Sequence, residues 1–183
     1  MIFLMVFSVV GFAMIGGLGN VGGGFQYEGH SFEVRVINGN QMIFTEVNNV
    51  EVGFYTDPFN AQSINFEQEA KEHLRTANTV YLVTNPDDIR GIETEILLRD
   101  YQNFANRNVI RAYTERDPFD PLPVISCEDA TPDEAVLLVE NQIGNMTTGI
   151  TKETDYCYRV QGLEIDIIFA RDYLLYNDLG IIR

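Results

Sequence analysis

The chain has 183 residues, of which 45% are hydrophobic and 21% charged, so its composition is that of a folded domain of ordinary size and excludes a disordered tail. Its 27 acidic residues against 12 lysines and arginines give a formal net charge of −15. Such a charge repels phosphate backbones, and we therefore expect no nucleic-acid partner.

The first 24 residues carry no charged side chain. Met1 to Ile15 is apolar except for one serine and one glycine, and a helix from Met1 to about Val21 would span roughly 30 Å, the thickness of a bilayer core. We expect residues 1–24 to be a hydrophobic anchor or signal segment with a glycine-rich tether, and the membrane to be its partner. A signal cleaved near Gly17-Leu18-Gly19 and a buried core segment are the alternatives.

The stretch Gly17 to Gly22 also spells G-x-G-x-x-G, the pattern of a dinucleotide-binding turn. That turn requires a helix directly after it and an acidic residue about 20 positions further on. Gly22-Gly23-Gly24 does not start a helix, and Asn38-Gly39 stands where the acidic residue is needed. The sequence therefore predicts no bound cofactor.

Residues 25–55 predict an antiparallel meander. From His30 onward, apolar and polar residues alternate with a period of two, which is typical of a half-buried strand. Asn38-Gly39 is a strong hairpin signal, since both residues tolerate positive φ. The expected strands are His30–Val36, Met42–Val47 and Val50–Tyr55.

The middle of the chain changes to the helical period. Phe66, Ala70, Leu74 and Ala77 form one apolar stripe of a helix. A strand at Val80–Thr84 follows. Two further elements complete this region: a helix that starts at Asn85-Pro86-Asp87-Asp88 and runs to about Asn106, and a strand at Val109–Thr114.

Counted from Val50, the order is strand, helix, strand, helix, strand, which is typical of a parallel sheet with right-handed crossovers. We expect the strands Val80–Thr84 and Val109–Thr114 to be parallel neighbours.

The last third begins with an irregular connection, Asp117 to Pro123, which holds three prolines in seven residues. Candidate strands follow at Val124–Cys127, Ala135–Glu140 and Tyr156–Val160. A final helix is expected from about Leu163 to Leu179, with Gly180 as its cap. Its residues available to face the sheet are Ile165, Ile168, Phe169, Leu175, Tyr176 and Leu179.

These elements predict an α/β or α+β fold. An N-terminal antiparallel meander is joined to a parallel βαβαβ sheet, with antiparallel C-terminal strands and a closing helix. We expect residues 25–183 to form a single acidic domain.

Cys127 and Cys157 are the only cysteines, and they lack the spacing of metal ligands. In a protein with an export or anchor segment, two cysteines most simply form one disulfide, and two buried thiols are the alternative. Asn145-Met146-Thr147 is a glycosylation sequon in a stretch that predicts an exposed loop.

Little in the sequence points to catalysis. His73 lies beside an apolar helix stripe and His30 begins an edge-like strand, while no hydrolase, metalloprotease or phosphate-loop motif is present. We therefore predict no catalytic residue.

Four carboxylates are candidate ligands for a hard cation, because each follows the carboxyl end of a predicted parallel strand. They are Asp87, Asp88, Glu115 and Asp117. The competing interpretation gives them capping and solvation alone.

Three stretches of the last third resemble a group of uncharacterised archaeal proteins: Pro123 to Thr131, Cys157 to Gly162, and Asp172 to Tyr176 with Leu179-Gly180-Ile181. The resemblance also covers Tyr27–Phe32 and Val80–Pro86. It implies a membrane-anchored protein with a short hydrophobic N-terminal segment and an acidic domain outside the cell membrane, and it implies no activity. This chain differs in lacking basic residues before the hydrophobic segment.

We expect a membrane-anchored or exported cell-envelope protein whose extracytoplasmic domain acts by binding or structural packing, with a cell-envelope protein as its candidate partner. The alternative is a cation- or sugar-binding domain, or an enzyme, that uses the four carboxylates. A pilin-like subunit is a third hypothesis. It is disfavoured by the short apolar segment and by the lack of an acidic residue near its start.

Overall fold

The computed structural model describes residues 23–87, 91–141 and 149–182. The chain divides after Asp57 into two compact units. The predicted anchor, the G-x-G-x-x-G stretch, the sequon residue Asn145 and the candidate ligand Asp88 all lie outside the described residues. Within the described ranges, no helix is both long enough and apolar enough to cross a bilayer.

The first unit is an antiparallel sheet of four strands in the order β1-β2-β3-β4, which confirms the predicted meander. The strands are β1 (Gly23–Tyr27), β2 (His30–Ile37), β3 (Asn40–Val47) and β4 (Val50–Phe54). β1 was not predicted, and it includes the last two residues assigned to the tether. Asn38 and Gly39 both have positive φ, 53° and 83°, as the hairpin prediction requires.

The second unit contains a six-stranded mixed sheet in the order β5-β9-β10-β8-β6-β7. Its strands are β5 (Asn65–Phe66), β6 (Thr79–Thr84), β7 (Asn108–Tyr113), β8 (Glu134–Asn141), β9 (Gly149–Thr154) and β10 (Cys157–Gly162). Its helices are α1 (Pro58–Ala61), α2 (Gln68–Thr76), α3 (Ile92–Phe104) and α4 (Glu164–Asp178).

Strands β6 and β7 are parallel neighbours, as predicted, with Thr79 opposite Asn108 and Thr84 opposite Tyr113. The first strand of the alternating pattern differs from the expectation. β4 pairs with β3 in the first unit, and the short β5 is the strand that precedes α2 in the second sheet. A two-residue hairpin turn at Asn48-Asn49, where both residues have positive φ, places β4 beside β3 in the meander.

The C-terminal strands are partly antiparallel. β9 and β10 form the antiparallel pair, whereas β8 and β10 are parallel. β9 was not predicted, because its start at Gly149 lies in the stretch interpreted as an exposed loop. The predicted strand Val124–Cys127 is also wrong. Val124 makes one isolated bridge to Tyr113, and a short 3-10 helix begins at Cys127.

The helices confirm part of the sequence pattern. The predicted apolar stripe is buried throughout: Phe66, Ala70, Leu74 and Ala77. The predicted start of the next helix is wrong, because the Asn85 side chain accepts a hydrogen bond from the Asp87 backbone N–H in a turn, and α3 begins only at Ile92.

The closing helix α4 ends before Gly180, whose φ of 71° suits its predicted capping role. Ile165 lies outside the core, with 57% of its surface exposed.

The two faces of the second sheet are identified by one row of side chains. Arg111, Leu82, Leu137 and Tyr158 are aligned across β7, β6, β8 and β10. Arg111 bonds Glu95 of α3 and Tyr158 bonds His73 of α2, so this row lies on the side of the helices, which we name the helix face.

The next row along the strands must lie on the opposite side, because side chains alternate along a strand. It contains Ala112, Val83, Leu138 and Arg159. We name this side the loop face.

Candidate functional site

The carboxyl edge of β6 and β7 collects the described acidic candidates, as the parallel arrangement predicts. Thr84 and Tyr113 are adjacent in the sheet, so Asp87 follows one strand while Glu115 and Asp117 follow its neighbour. Asp87 and Glu115 are exposed. In the described part of the chain, no group of three or more His, Cys, Asp or Glu side chains could hold a metal ion. The cation site therefore stays a prediction without geometric support.

Residues 114–124, which we name the proline loop, form the surface that follows β7. The loop is tied to the end of that strand, because the Tyr113 backbone N–H donates to the Pro123 carbonyl at 2.9 Å and the Tyr113 carbonyl accepts from the Ile125 N–H at 3.0 Å. The Tyr113 hydroxyl donates to the Asp120 carboxylate at 3.0 Å. Burial and this carboxylate raise the pKa of Tyr113, so the hydroxyl keeps the proton that it donates.

The tip of the proline loop has its own internal bond. The Asp117 carboxylate accepts a hydrogen bond from the Phe119 backbone N–H at 2.7 Å. Pro118 and Pro121 flank Phe119 and fix their own φ angles. The backbone around Phe119 is therefore restrained by one side-chain bond and two proline rings.

Phe119 itself is 95% exposed. Leaving a phenylalanine ring in water forgoes about 1.5–3 kcal/mol that its burial would contribute. A pocket of about 660 Å³ lies in the same loop and is lined by Arg116, Asp117, Pro118, Phe119, Asp120, Pro121, Leu122 and Val124. Of the predicted ligands, Asp117 lines this pocket, whereas Asp87 and Glu115 do not. The arrangement suits a contact surface better than a cation cage.

The predicted disulfide between Cys127 and Cys157 is present, with the two Cα atoms 5.2 Å apart. Residues 125–130, which we name the covering segment, lie on the loop face. Ile125, Cys127 and Ala130 pack against a buried cluster of that face, which consists of Val83, Ala112, Val136, Leu138 and Cys157. The disulfide thus joins the covering segment to the sheet that it protects from water.

The start of the covering segment's 3-10 helix is capped by its own side chains. Asp129 accepts the Ser126 backbone N–H at 2.8 Å, and the Ser126 hydroxyl accepts the Glu128 backbone N–H at 3.2 Å. These bonds satisfy donors that the short helix would otherwise leave open.

The two histidines lie in different units, and neither is placed for nucleophilic catalysis. His30 begins β2 in the first unit. His73 is half-buried, with its Nε2 atom 3.0 Å from the Pro132 carbonyl and its Nδ1 atom 2.9 Å from the Tyr158 hydroxyl. Burial is the main cause that raises the pKa of Tyr158 to about 12. Because a tyrosine hydroxyl that keeps its proton is a poor nucleophile, this pair ties α2 to β10 rather than activating the hydroxyl.

Buried charges on the helix face were not predicted. Arg171 bonds Asp100 of α3 and the neighbouring Asp172, and all three are almost fully buried. No sequence signal marks such pairs, because charged residues are mostly exposed.

A second buried charge, Arg107, pairs with Asp178 and donates to backbone carbonyls of Leu74, Arg75 and Ala77 at the end of α2. Burial raises the pKa of Asp178, and Arg107 opposes that rise. The Arg107 guanidinium thus donates hydrogen bonds to carbonyls that have no donor within the helix, which is a structural role.

Comparison of the chain with protein-family models, with curated proteins and with solved structures finds no match. The resemblance to anchored archaeal proteins stays a prediction.

Proposed function

We propose that this chain is a membrane-anchored or exported cell-envelope protein, and that its folded part lies outside the membrane and acts by binding or structural packing. The Cys127–Cys157 disulfide carries this proposal. Disulfides persist mainly in oxidising compartments and are rare in cytosolic proteins. The uncharged apolar stretch from Met1 to Ile15 supplies an export or anchor signal consistent with that compartment.

The shape of the carboxyl edge supports binding over catalysis. Its exposed feature is an aromatic side chain on a restrained loop, and its described carboxylates belong to no group of three or more that could hold a metal ion. Aromatic side chains are enriched where proteins contact each other. The net charge of −15 also suits a surface that avoids anionic lipids and nucleic acids.

The compartment is tested by alkylating thiols when cells that make the protein are lysed, then unfolding it without reductant. We expect no reactive thiol before reduction and two afterwards. The matched control is Cys127→Ser, which should expose one reactive thiol at Cys157 under the same conditions. Two reactive thiols in the native chain before reduction would contradict the oxidising compartment.

The topology is tested by protease treatment of intact cells. We expect cleavage of residues 58–182 while a cytosolic marker protein stays intact, because the folded part faces outward. Cleavage that requires cell lysis would contradict the extracytoplasmic location. In the same sample, Asn145→Gln should increase electrophoretic mobility if the sequon carries a glycan, since the variant removes the acceptor amide.

A further inference from the structure

The proline loop combines three features. Phe119 is the most exposed of the large hydrophobic side chains in the described ranges. The loop that presents it is restrained by prolines, by the Asp117 bond and by the Tyr113–Asp120 bond. A pocket lies directly beside the ring. A restrained loop loses little conformational freedom on binding, so an exposed aromatic on such a loop is a pre-organised anchor.

The charge around the anchor indicates the kind of partner. The proline loop carries Glu115, Asp117 and Asp120 against Arg116, which gives three negative charges and one positive charge, a net of −2. Interfaces pair patches of opposite charge, and the charged rim sets the association rate and the specificity. The partner surface should therefore carry lysine or arginine around the site that receives the ring.

Two other binding partners of the proline loop, a second copy of this chain and a membrane surface, fit these observations less well. A second copy would bring the same acidic loop and another net charge of −15, so like charges would oppose association. A membrane surface would require Asp117 and Asp120, which lie on either side of Phe119, to approach anionic headgroups.

We propose that the proline loop is a protein-docking surface, in which Phe119 enters an apolar pocket of another protein whose surface carries lysine or arginine around that pocket. This inference rests on the binding activity in the proposed function and names the partner class for it. It does not require a particular compartment.

The test begins with a photo-reactive benzoylphenylalanine in place of Phe119 in the full chain, irradiated in intact cells. Any protein that is cross-linked is then purified and its affinity measured directly for the native chain and for Phe119→Ala. We expect Phe119→Ala to weaken binding about ten-fold or more, because a buried aromatic anchor carries a large share of interface energy. Phe119→Leu should weaken binding less, since it keeps an apolar side chain.

The matched control is Val50→Ala, which truncates a residue of the first unit that is 50% exposed. We expect its affinity to stay within about two-fold of the native value, as is typical of residues outside a hot spot. Raising the salt concentration from 0.05 to 0.5 M should weaken binding of the native chain several-fold, because screening removes the rim attraction. The Phe119 variants should unfold at the native temperature, since this side chain lies outside the core.

Several outcomes would overturn this proposal: cross-links only to lipid, only to this chain, or to no molecule above background; equal affinity of Phe119→Ala and the native chain; and affinity that is insensitive to salt. Failure of the proposed compartment is distinguishable from each of these. It would show as two reactive thiols or as protection from protease in intact cells, whether or not Phe119 is cross-linked.

Discussion

The two faces of the second sheet are buried by different means. The helix face carries Leu82, Leu137 and Val160 under helices, and α4 contacts each of the other three helices. On the loop face, the covering segment protects Val83, Ala112 and Leu138, and a disulfide holds it in place. The loop face also carries charged side chains, on β8, β9 and β10.

The polar part of the loop face is an ion-pair network. Arg159 of β10 bonds Glu153 of β9 and Glu140 of β8, and all three side chains are partly exposed. On the loop face a short segment buries apolar side chains, and the disulfide that holds this segment also reduces the freedom of the unfolded chain. Where no cover is present, the sheet carries charges instead.

The largest expected loss of stability is that of Leu137→Ala, and it should exceed the loss in Leu138→Ala at the next position of β8. Leu137 lies on the helix face and Leu138 on the loop face, with 0% and 9% of their surfaces exposed. Leu137→Ala should lower the free energy of unfolding by about 3–5 kcal/mol, because the helix layer cannot collapse into the cavity. Leu138→Ala should cost less, since this side chain keeps 9% of its surface exposed and lies under a short segment instead of a layer of helices. Urea unfolding of both oxidised variants measures this, and equal losses would show that both faces are packed alike.

Removal of the disulfide should have the next largest effect. The bond joins residues separated by 30 positions, and on the chain-entropy model such a loop stabilises the native state by about 3–4 kcal/mol. The double variant Cys127→Ser/Cys157→Ser should lose this amount.

Hydrogen exchange should locate the effect of the double variant. Faster exchange is expected in residues 125–130 and at Val83, while the middle of α4 keeps its relative protection. Reduced native protein is the control and should behave as the variant does. Uniformly faster exchange over both faces would show that the disulfide stabilises the helix face as much as the loop face.

A smaller effect is expected from Tyr158→Phe, which removes a hydroxyl from the helix face. At neutral pH the loss should be about 1–2 kcal/mol, because the hydroxyl bonds both His73 Nδ1 and the Asp155 backbone carbonyl. The pKa of Tyr158 is raised to about 12 in the folded protein, against an ordinary value near 10. Its contribution to stability is therefore complete below about pH 10 and is lost as the pH rises toward 12.

Urea unfolding between pH 8 and 12 tests that dependence. The difference in unfolding free energy between the native protein and Tyr158→Phe should shrink across the alkaline range. A difference that grows with pH would contradict burial as the cause of the raised pKa.

The smallest expected effect is that of Arg159→Met on the polar part of the loop face. Because the three charges are partly exposed, the variant should cost no more than about 1 kcal/mol, and less at high salt. The contrasting control is Arg107→Met, whose side chain is 7% exposed and which leaves the buried Asp178 without its cation. That variant should cost about 3–5 kcal/mol. Thermal unfolding at two salt concentrations measures both, and equal losses would contradict the difference in burial.

Strong periodic signals predicted most of the fold. The apolar stripe predicted α2, although Phe66 lies in β5 and Ala77 just beyond the helix, and the alternation after His30 predicted β2. In both patterns, the spacing of apolar residues shows which side of a helix or strand is buried, and this spacing can be seen in the local sequence. The cysteine pair was predictable because only two cysteines are present and metal spacing is lacking.

Features set by long-range pairing were not predictable. β9 begins at Gly149-Ile150 in a stretch rich in glycine and threonine, and its pairing with β10 and β5 makes it a strand. The start of α3 was misplaced because Asn85 and Pro86 suit a turn as well as a helix cap. Burial of Arg171 depends on Asp100, which is 71 residues distant in sequence.

The sequence predicted where in the sheet the candidate site lies, but it did not predict which side chain is exposed there. Adjacent parallel strands correctly placed Asp87 and Asp117 at one edge of the sheet. Phe119 was missed, although the stretch from Asp117 to Pro121 already places an aromatic residue between two Asp-Pro steps. Its exposure depends on how the loop leaves β7, and that is a property of the folded chain.

The position of β8 in the sheet has a consequence for biosynthesis. β8 lies between β6 and β10, so a growing chain that has reached β7 still presents an unpaired edge of β6. An unpaired strand edge can form hydrogen bonds with a strand of another chain. The centre of the sheet cannot be completed until residues 134–162 have been synthesised, late in a chain of 183 residues. The disulfide that holds the covering segment also forms late, because Cys157 is the first residue of β10.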